Sequence, residues 1–426
     1  MREGAGDDGL TVAKALRLLH DNTLKLDEAT VVVIDEAGMV GTDDLRQLLT
    51  ATTRAGAKTV LVGDASQLAP VKARGGMFAQ LCTDLPWTQR LSEVWRMSDP
   101  EERTASLALR DGEPAARRDA VDWYRSHDRL HHGDAITMAA DALAAYTADA
   151  EVGRDALLVC DTTEMADALN LRIHNDRIDR NARSVVGARG QHISVGDLII
   201  SRRNDPTIAF HHSTPNAESL PSVRNGNRWR VAAIDAKTNR VAAERLDDNA
   251  RVVFENDYVR EHVSLGYAVT VHSAQGVTAD ACHAVLSDTA SRNLLYVAMT
   301  RGRHANIAHI YERSTEASEF GHEKPAGTHL TQRGDSSEAA TLIHGILACA
   351  EPTITAHDYA GKASEEALPD RVRDLLNMRA AATERRQAVY GSWKAQREEH
   401  NRGMAEAPER HISGNQDRST DYGLEL

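Results

Sequence analysis

Apolar residues follow two rhythms along this chain, and the rhythm changes several times. Thr30-Val-Val-Val-Ile34 is a continuous apolar run ending in Asp35-Glu36-Ala37-Gly38, the pattern of a strand buried in a parallel sheet. A helix is expected next. Thr42 stands as its N-cap, Asp43 and Asp44 fill the first turn, and Leu45, Leu48 and Leu49 make the apolar stripe. Lys58-Thr-Val-Leu-Val62 repeats the strand pattern and breaks at Gly63-Asp64. Strand, helix, strand predicts an α/β fold with a parallel sheet. Ahead of it, Leu10 to His20 is one short amphipathic segment.

The rhythm resumes after a helix-prone stretch over about 98–150. Asp155-Ala-Leu-Leu-Val-Cys160 predicts a strand, and Thr162 to His174 a helix with Met165, Leu169 and Ile173 on one face. Residues 190–262 change character. Short alternating strands are expected at Asp197–Ser201, Arg228–Ile234, Arg240–Glu244 and Arg251–Glu255, separated by Asn-Gly and Asp-Asp turns. This predicts a small β module inserted into the second α/β unit. Val263 to Val271 reads as a buried strand again, and Ser291 to Arg301 as a helix stopped by Gly302. Beyond about 316 the chain is polar and helix-prone, and the last 25 residues have a disorder-prone composition.

Composition narrows the class. Hydrophobic residues make up 41% and charged residues 27% of 426 residues, which suits two or three globular domains. No apolar run reaches the length of a membrane span, and the start, Met1-Arg-Glu-Gly-Ala-Gly, carries no secretory pattern. The four cysteines, Cys82, Cys160, Cys282 and Cys349, are widely spaced, so a reducing cytoplasm is the expected location. The net charge of −13 excludes a uniformly basic coat but not a local basic groove. Of the 50 basic residues 42 are Arg, the side chain that holds phosphates bidentately.

Candidate chemistry sits where strands end. A carboxylate at the C-terminal end of a parallel strand faces the crevice in which α/β proteins bind ligands. There Asp35 can hold Mg²⁺ and Glu36 can polarise water, although an acidic pair after any strand can also serve as a helix cap. Gly63-Asp64-x-x-Gln67 follows the next strand, with a Gln amide able to reach a phosphate or an attacking water. Arg96, in Leu91-Ser-Glu-Val-Trp-Arg96, stands where the second α/β unit begins. Thr270-Val-His272-Ser273-Ala-Gln275-Gly276 offers hydroxyls and amides after a buried strand. Arg301 ends the helical Leu295-Tyr-Val-Ala-Met-Thr-Arg301 segment. Each alone is weak; five in this order are specific.

These segments resemble motifs II, III, IV, V and VI of superfamily 1 DNA helicases of the 5′-to-3′ branch. In particular they are similar to the helicase part of conjugative relaxases of the TraA/TrwC kind. Val195-Gly-Asp-Leu-Ile-Ile-Ser-Arg-Arg-Asn204 and Val223-Arg-Asn-Gly-Asn-Arg-Trp-Arg-Val231 resemble that family's inserted SH3-like module. The resemblance implies two RecA-like parallel-sheet domains, the first incomplete, with the inserted β module and a helical tail. The implied extents are 1–95 for the partial first domain, 96–190 and 263–315 for the second, 191–262 for the module, 316–400 for the tail and 401–426 for a disordered end. It also implies ATP and Mg²⁺ as cofactors, with Asp35 on the metal, Glu36 as base and Gln67 as γ-phosphate sensor. Asp64 and Gly276 join the nucleotide site, and Arg96 and Arg301 are its arginine fingers. Thr270, His272, Ser273 and Gln275 face a single DNA strand. Tyr267 and Trp229 are the candidate base-stacking platforms, core packing being the competing assignment.

The chain departs from the family at one point. The phosphate loop, Gly-x-x-x-x-Gly-Lys-Ser/Thr, occurs nowhere; the only Gly-Lys is Gly361-Lys362, followed by Ala363. The expectation is therefore a chain that begins inside the first domain and needs an upstream polypeptide carrying the loop and the relaxase domain. The alternative is a non-hydrolysing single-strand-binding remnant or regulatory module.

Overall fold

The structure, a computed structural model, describes residues 9–70, 73–91, 93–209, 222–246, 248–313, 331–349 and 355–405. The chain forms two compact units, one from residues 1–75 with 92–353 and one from 76–91 with 354–426.

The first unit opens with α1 (Val12–His20), β1 (Val31–Ile34), α2 (Thr42–Arg54) and β2 (Lys58–Leu61). β1 and β2 pair in parallel, from Val31 opposite Lys58 to Ile34 opposite Leu61. Thr42 is the first helical residue rather than the cap, which falls to Gly41. The Thr42 hydroxyl is spent elsewhere, donating to the Gly75 carbonyl at 3.0 Å. The next helix, α3 (Met77–Asp84), belongs to the second unit.

The stretch over 98–150 is not continuous helix. It contains α4 (Pro100–Asp111), α5 (Pro114–Ser126), the strand β3 (Leu130–Gly133) and α6 (Ala135–Glu151). β4 (Ala156–Cys160) and α7 (Thr163–Arg177) follow, with Thr162 capping α7 through the Met165 N–H. The antiparallel region holds β5 (Val185–Val186), β6 (His192–Ile193), β7 (Leu198–Ser201), β8 (Asp205–Ala209), β9 (Ser222–Val223), β10 (Arg228–Asp235), β11 (Arg240–Arg245), β12 (Arg251–Phe254), the short helix α8 (Asn256–His262) and β13 (Val263–Leu265). Its main sheet has the order β12-β11-β10-β7-β13.

The run expected as one strand over 263–271 is two strands in two sheets. β13 pairs antiparallel with β7, while β14 (Ala268–Thr270) pairs in parallel with β4. Gly266 makes the switch possible: a Cβ there would lie 2.9 Å from the Ile199 carbonyl carbon. Asn170 on α7 clamps the crossing. Its amide donates to the Ala268 carbonyl at 2.8 Å and accepts from the Tyr267 and Ala268 N–H groups.

Next come β15 (Ala279–Ser287), α9 (Arg292–Ala298), β16 (Gly302–Tyr311) and α10 (Ser336–Ala348). The helix expected to run to Arg301 ends at Ala298. Gly302 starts a strand rather than stopping a helix, and a Cβ on it would meet the Ala305 carbonyl oxygen at 2.1 Å. The central sheet is fully parallel, in the order β14-β4-β15-β16-β3. Leu109, Val121, Tyr124, Leu295 and Ile343 from α4, α5, α9 and α10 belong to one buried core on it. Met138, Ala142, Leu169 and Ile173 from α6 and α7 belong to a second core, which continues into the β module through Ile199, Trp229 and Phe254.

Both proposed stacking platforms are core residues. Trp229 is fully buried edge-on to Phe254, with ring centroids 5.4 Å apart. Tyr267 is buried and donates its hydroxyl to Asp197 at 2.8 Å. Asp197, itself fully buried, also accepts from the Ser194 N–H at 2.7 Å and lies 2.8 Å from His174 Nδ1. Burial of a carboxylate is offset here by this set of donors.

The second unit adds α11 (Ala356–Lys362) and α12 (Asp370–Ala405) to α3. Within it Arg379 grips Asp84 with Nε at 3.1 Å and Nη2 at 2.6 Å. Residues 401–405, expected to be disordered, continue α12; residues 406–426 lie outside the described residues.

Candidate functional site

Asp35 and Glu36 leave the C-terminal end of β1 exposed to solvent. Asp35 Oδ1 accepts the Glu36 N–H at 2.9 Å, and Glu36 takes a left-handed backbone, φ 50° and ψ 40°. A non-glycine residue held there stores strain of about 1 kcal/mol. The turn is pinned because the next residue, Ala37, is fully buried and donates its N–H to the Val62 carbonyl at 2.9 Å.

After β2, Asp64 folds its loop by accepting the Ser66 N–H at 2.8 Å. Its other oxygen accepts from the Tyr296 hydroxyl at 3.2 Å, with Arg110 at 4.0 Å. Burial, reinforced by Asp64, pushes the Tyr296 hydroxyl up to about 12, so it stays a donor. The Gln67 carbonyl accepts from Asn293 Nδ2 at 2.8 Å, and Gln67 Oε1 accepts from Gln275 Nε2 at 2.9 Å. Gln67 and Gln275, 208 positions apart in the chain, therefore meet directly.

Arg301 is 1% exposed. Its Nε donates to the Val297 carbonyl at 2.8 Å and its Nη2 to Thr300 Oγ1 at 3.1 Å. Among the described residues no carboxylate pairs with it. Burial and then repulsion from Arg96 bring its pKa down to about 10, while Glu36 is among the groups acting in the opposite direction. Arg96 reaches the same turn, its Nη1 donating to the Thr300 carbonyl at 2.7 Å. Two guanidinium groups thus crowd together, with Glu36 the nearby acid.

Thr270 and Ser273 bond to each other through their hydroxyls at 3.0 Å. Ser273 also accepts from Arg202 Nη1 at 3.1 Å, a residue of the β module whose Nε donates to Ser264 at 3.1 Å. His272 has a pKa lowered by desolvation alone and is therefore neutral near pH 7. Gly276 closes the loop at φ +79°, with no atom within 4 Å of where a Cβ would stand. The structure thus joins Gln67 to Gln275, Arg96 to the Thr300–Arg301 turn, and Thr270 to Ser273. It gives Asp35, His272 and Gly276 no side-chain partner among the other candidates. Asn293 and Tyr296 were not recognised in the sequence. The available signal was two hydrogen-bonding side chains three positions apart on a helix whose other residues after Arg292 are apolar.

Comparison with known proteins yields three family matches: an AAA domain over residues 1–135, an Rv2311 SH3-like barrel domain over 185–264, and a UvrD-like helicase C-terminal domain over 265–307. The conjugal transfer protein TraA of Agrobacterium fabrum is 31% identical over 287 residues, 65% of this chain and 24% of TraA. The chain thus resembles TraA-type conjugal transfer proteins, with a UvrD-like helicase C-terminal domain among its matched segments. This TraA-like chain is also 55% identical over 100 residues to Rv2311 of Mycobacterium tuberculosis, covering 23% of the chain and 58% of Rv2311. It therefore spans less than two thirds of either relative. A crystal structure of Pif1 helicase from Bacteroides with ADP-AlF3 and ssDNA aligns over 72% of the TraA-like chain and 73% of Pif1, at 19% identity and a TM-score of 0.44. Among the described residues no helix is long and apolar enough to cross a membrane.

Proposed function

We propose that this chain is the C-terminal portion of an ATP-dependent 5′-to-3′ DNA helicase within a conjugative relaxase, working in the cytoplasm on single-stranded DNA during plasmid transfer. The observation that carries this reading is Arg301: a buried guanidinium without a carboxylate partner among the described residues, crowded by Arg96. Such a pair favours a polyanion, and its charge is suited to the oxygens of a phosphoryl group in transfer. Asp35, with one oxygen committed to the Glu36 N–H, keeps the other for Mg²⁺. Bound Mg²⁺ supplies further neutralisation of phosphate charge. Glu36 orients and deprotonates water, and Arg96 and Arg301 hold the phosphate oxygens.

Gln67 and Asp64 position the phosphate-facing loop, and Gly276 lets the facing loop turn. The Gln67–Gln275 hydrogen bond supports coupling, since a phosphate that accepts from Gln67 Nε2 reorients the same amide whose Oε1 holds Gln275, and so moves the loop that carries Thr270, His272, Ser273 and Gln275. Those residues face the DNA strand, with Arg202 supporting Ser273 from the module. The residues of this chain hold no Gly-x-x-x-x-Gly-Lys-Ser/Thr loop, so by itself it turns over ATP no faster than its Asp35→Ala/Glu36→Ala variant. DNA-stimulated turnover that vanishes on Glu36→Ala would contradict that part. Single-strand binding survives without ATP, falls steeply with salt, and weakens several-fold on Arg202→Ala; fluorescence anisotropy at two salt concentrations reads it. No binding at low salt rejects the proposal. Binding that persists while a co-expressed phosphate-loop segment never restores turnover favours the non-hydrolysing DNA-binding module instead.

A further inference from the structure

Behind Arg301 lies a buried polar pair that none of the motifs contains. Asn306 on β16 is fully buried, and Glu102 on α4 is 1% exposed. Asn306 Oδ1 accepts the Gly302 N–H at 2.7 Å, and its Nδ2 donates to the Gly302 carbonyl at 3.1 Å. One side chain thus holds both backbone groups of the residue that follows Arg301. Glu102 Oε1 in turn accepts from Asn306 Nδ2 at 2.9 Å, which fixes that amide from the helix side. Glu102 is itself placed by a stiff helix start. Asp99 caps α4 through the Glu101 N–H at 2.8 Å, and Pro100 is the first helical residue.

Packing alone does not account for Glu102. Its Oε2 is buried without a hydrogen-bond partner, and burial raises its pKa above the ordinary glutamate value. An apolar side chain of that size would avoid the cost. Folds tolerate such breaches where a site needs them. The site here is a pair of like charges. Arg96 and Arg301 repel one another, and Arg96 reaches the turn through the Thr300 carbonyl at 2.7 Å. The next residue of α4, Arg103, braces the Arg96 side. Its Nε donates to the Met97 carbonyl at 2.5 Å and its Nη2 to the Ser98 carbonyl at 3.3 Å. Consecutive residues of one helix therefore support both arms of the arginine pair.

We infer that Glu102 and Asn306 are positioning residues for Arg301, holding its guanidinium beside Arg96 in the arrangement that a phosphoryl group would meet. The purpose assigned to this geometry rests on the proposed helicase activity; the geometry itself does not.

Phenylglyoxal labelling of the full chain, read residue by residue by mass spectrometry, tests the positioning without any turnover. Arg301 should label slowly in the wild type and at least about tenfold faster in Asn306→Ala, as its turn opens locally. Glu102→Leu, which fills the space but cannot accept from the amide, should do the same, and either variant suffices if the other fails to fold. Glu102→Gln should label as slowly as the wild type, because its amide oxygen still accepts from Asn306. Leu158→Ala, a core change in β4, is the control for general loosening and should leave Arg301 slow. Unchanged labelling of Arg301 in Asn306→Ala and Glu102→Leu overturns the inference, and so does fast labelling in Leu158→Ala or Glu102→Gln. Turnover with a co-expressed phosphate-loop segment then tests the purpose. Asn306→Ala should lower kcat by about a hundredfold and leave KM for ATP within about twofold. An unchanged kcat overturns the positioning role, whereas no turnover in the wild type rejects the helicase reading and leaves the labelling rates to decide the positioning.

Discussion

The two parallel sheets of the first unit are built from similar apolar runs and end up in opposite conditions. In β4 all five residues, Ala156 to Cys160, are buried. In β1 only Ile34 is buried, while Val31 is 57% and Val33 52% exposed. The difference lies in coverage rather than in the strands. Helices pack on both faces of the five-stranded sheet, and β4 has a strand on each side. The β1–β2 pair is a two-stranded sheet, an arrangement that is marginal in isolation. An apolar run therefore reports what a strand can bury, and its neighbours decide whether it does.

Substitutions test this directly. Leu158→Ala, at a fully buried position in β4, should cost about 2–5 kcal/mol in urea unfolding. Val33→Ala should cost under about 0.5 kcal/mol. Equal costs would break the comparison.

Acid should act on the large sheet next. His283 and His309 lie on its neighbouring strands β15 and β16, and burial lowers both pKa values below 6.5. Neither ring nitrogen of His309 has a hydrogen-bond partner. Below pH 6.5 the unfolded chain binds protons that the folded chain refuses. Stability is then complete above that pH and falls as the pH drops, by up to about 1.4 kcal/mol per unit for each histidine. Equilibrium unfolding between pH 5 and 8 measures the slope, and His309→Leu should flatten it. An unchanged slope would remove His309 from the account.

Local opening sharpens the contrast further. Amide exchange and limited proteolysis should reach β1–β2 before β4, β15 or β16, and the reverse order would contradict the coverage argument. A modest effect belongs to the strained turn. Glu36→Gly should add about 0.5–1 kcal/mol of stability by relieving the left-handed backbone, and it also removes the carboxylate. A loss of stability would show that the turn is held by more than local geometry.

Much of this architecture could be read from the sequence, and the failures have physical reasons. β1, β2, β4, α2, α7 and the module strands carry the runs and periods expected of them. β3, β15 and β16 do not. β3 is Leu-His-His-Gly between two helices, and β15 is rich in Ala. β16 carries Arg, His and Asn among its apolar residues. Burial on both faces removed the alternation that marks a half-exposed strand, and neighbouring groups accommodated the polar side chains, as Glu102 and Gly302 do for Asn306. The 263–271 run looked like one strand because composition says nothing about a change of sheet at Gly266. At the site, motif spacing singled out Gln67, Gln275, Arg96 and Arg301 as candidates, and the structure brings Gln67 to Gln275 and Arg96 to the Thr300–Arg301 turn, but spacing did not show that Asn293 and Tyr296 hold the facing loop. Those two residues reveal their role only through what lies opposite them.

The pairing of β7 with β13 has a consequence for the history of such chains. Leu265 on the last strand of the module lies opposite Ile199 on its first main-sheet strand, so the chain leaves close to where it came in. A segment with adjoining entrance and exit asks nothing of its host's strand order. At the level of the gene it behaves as a cassette: it can be lengthened, exchanged or carried to another chain while the parallel sheet keeps its topology.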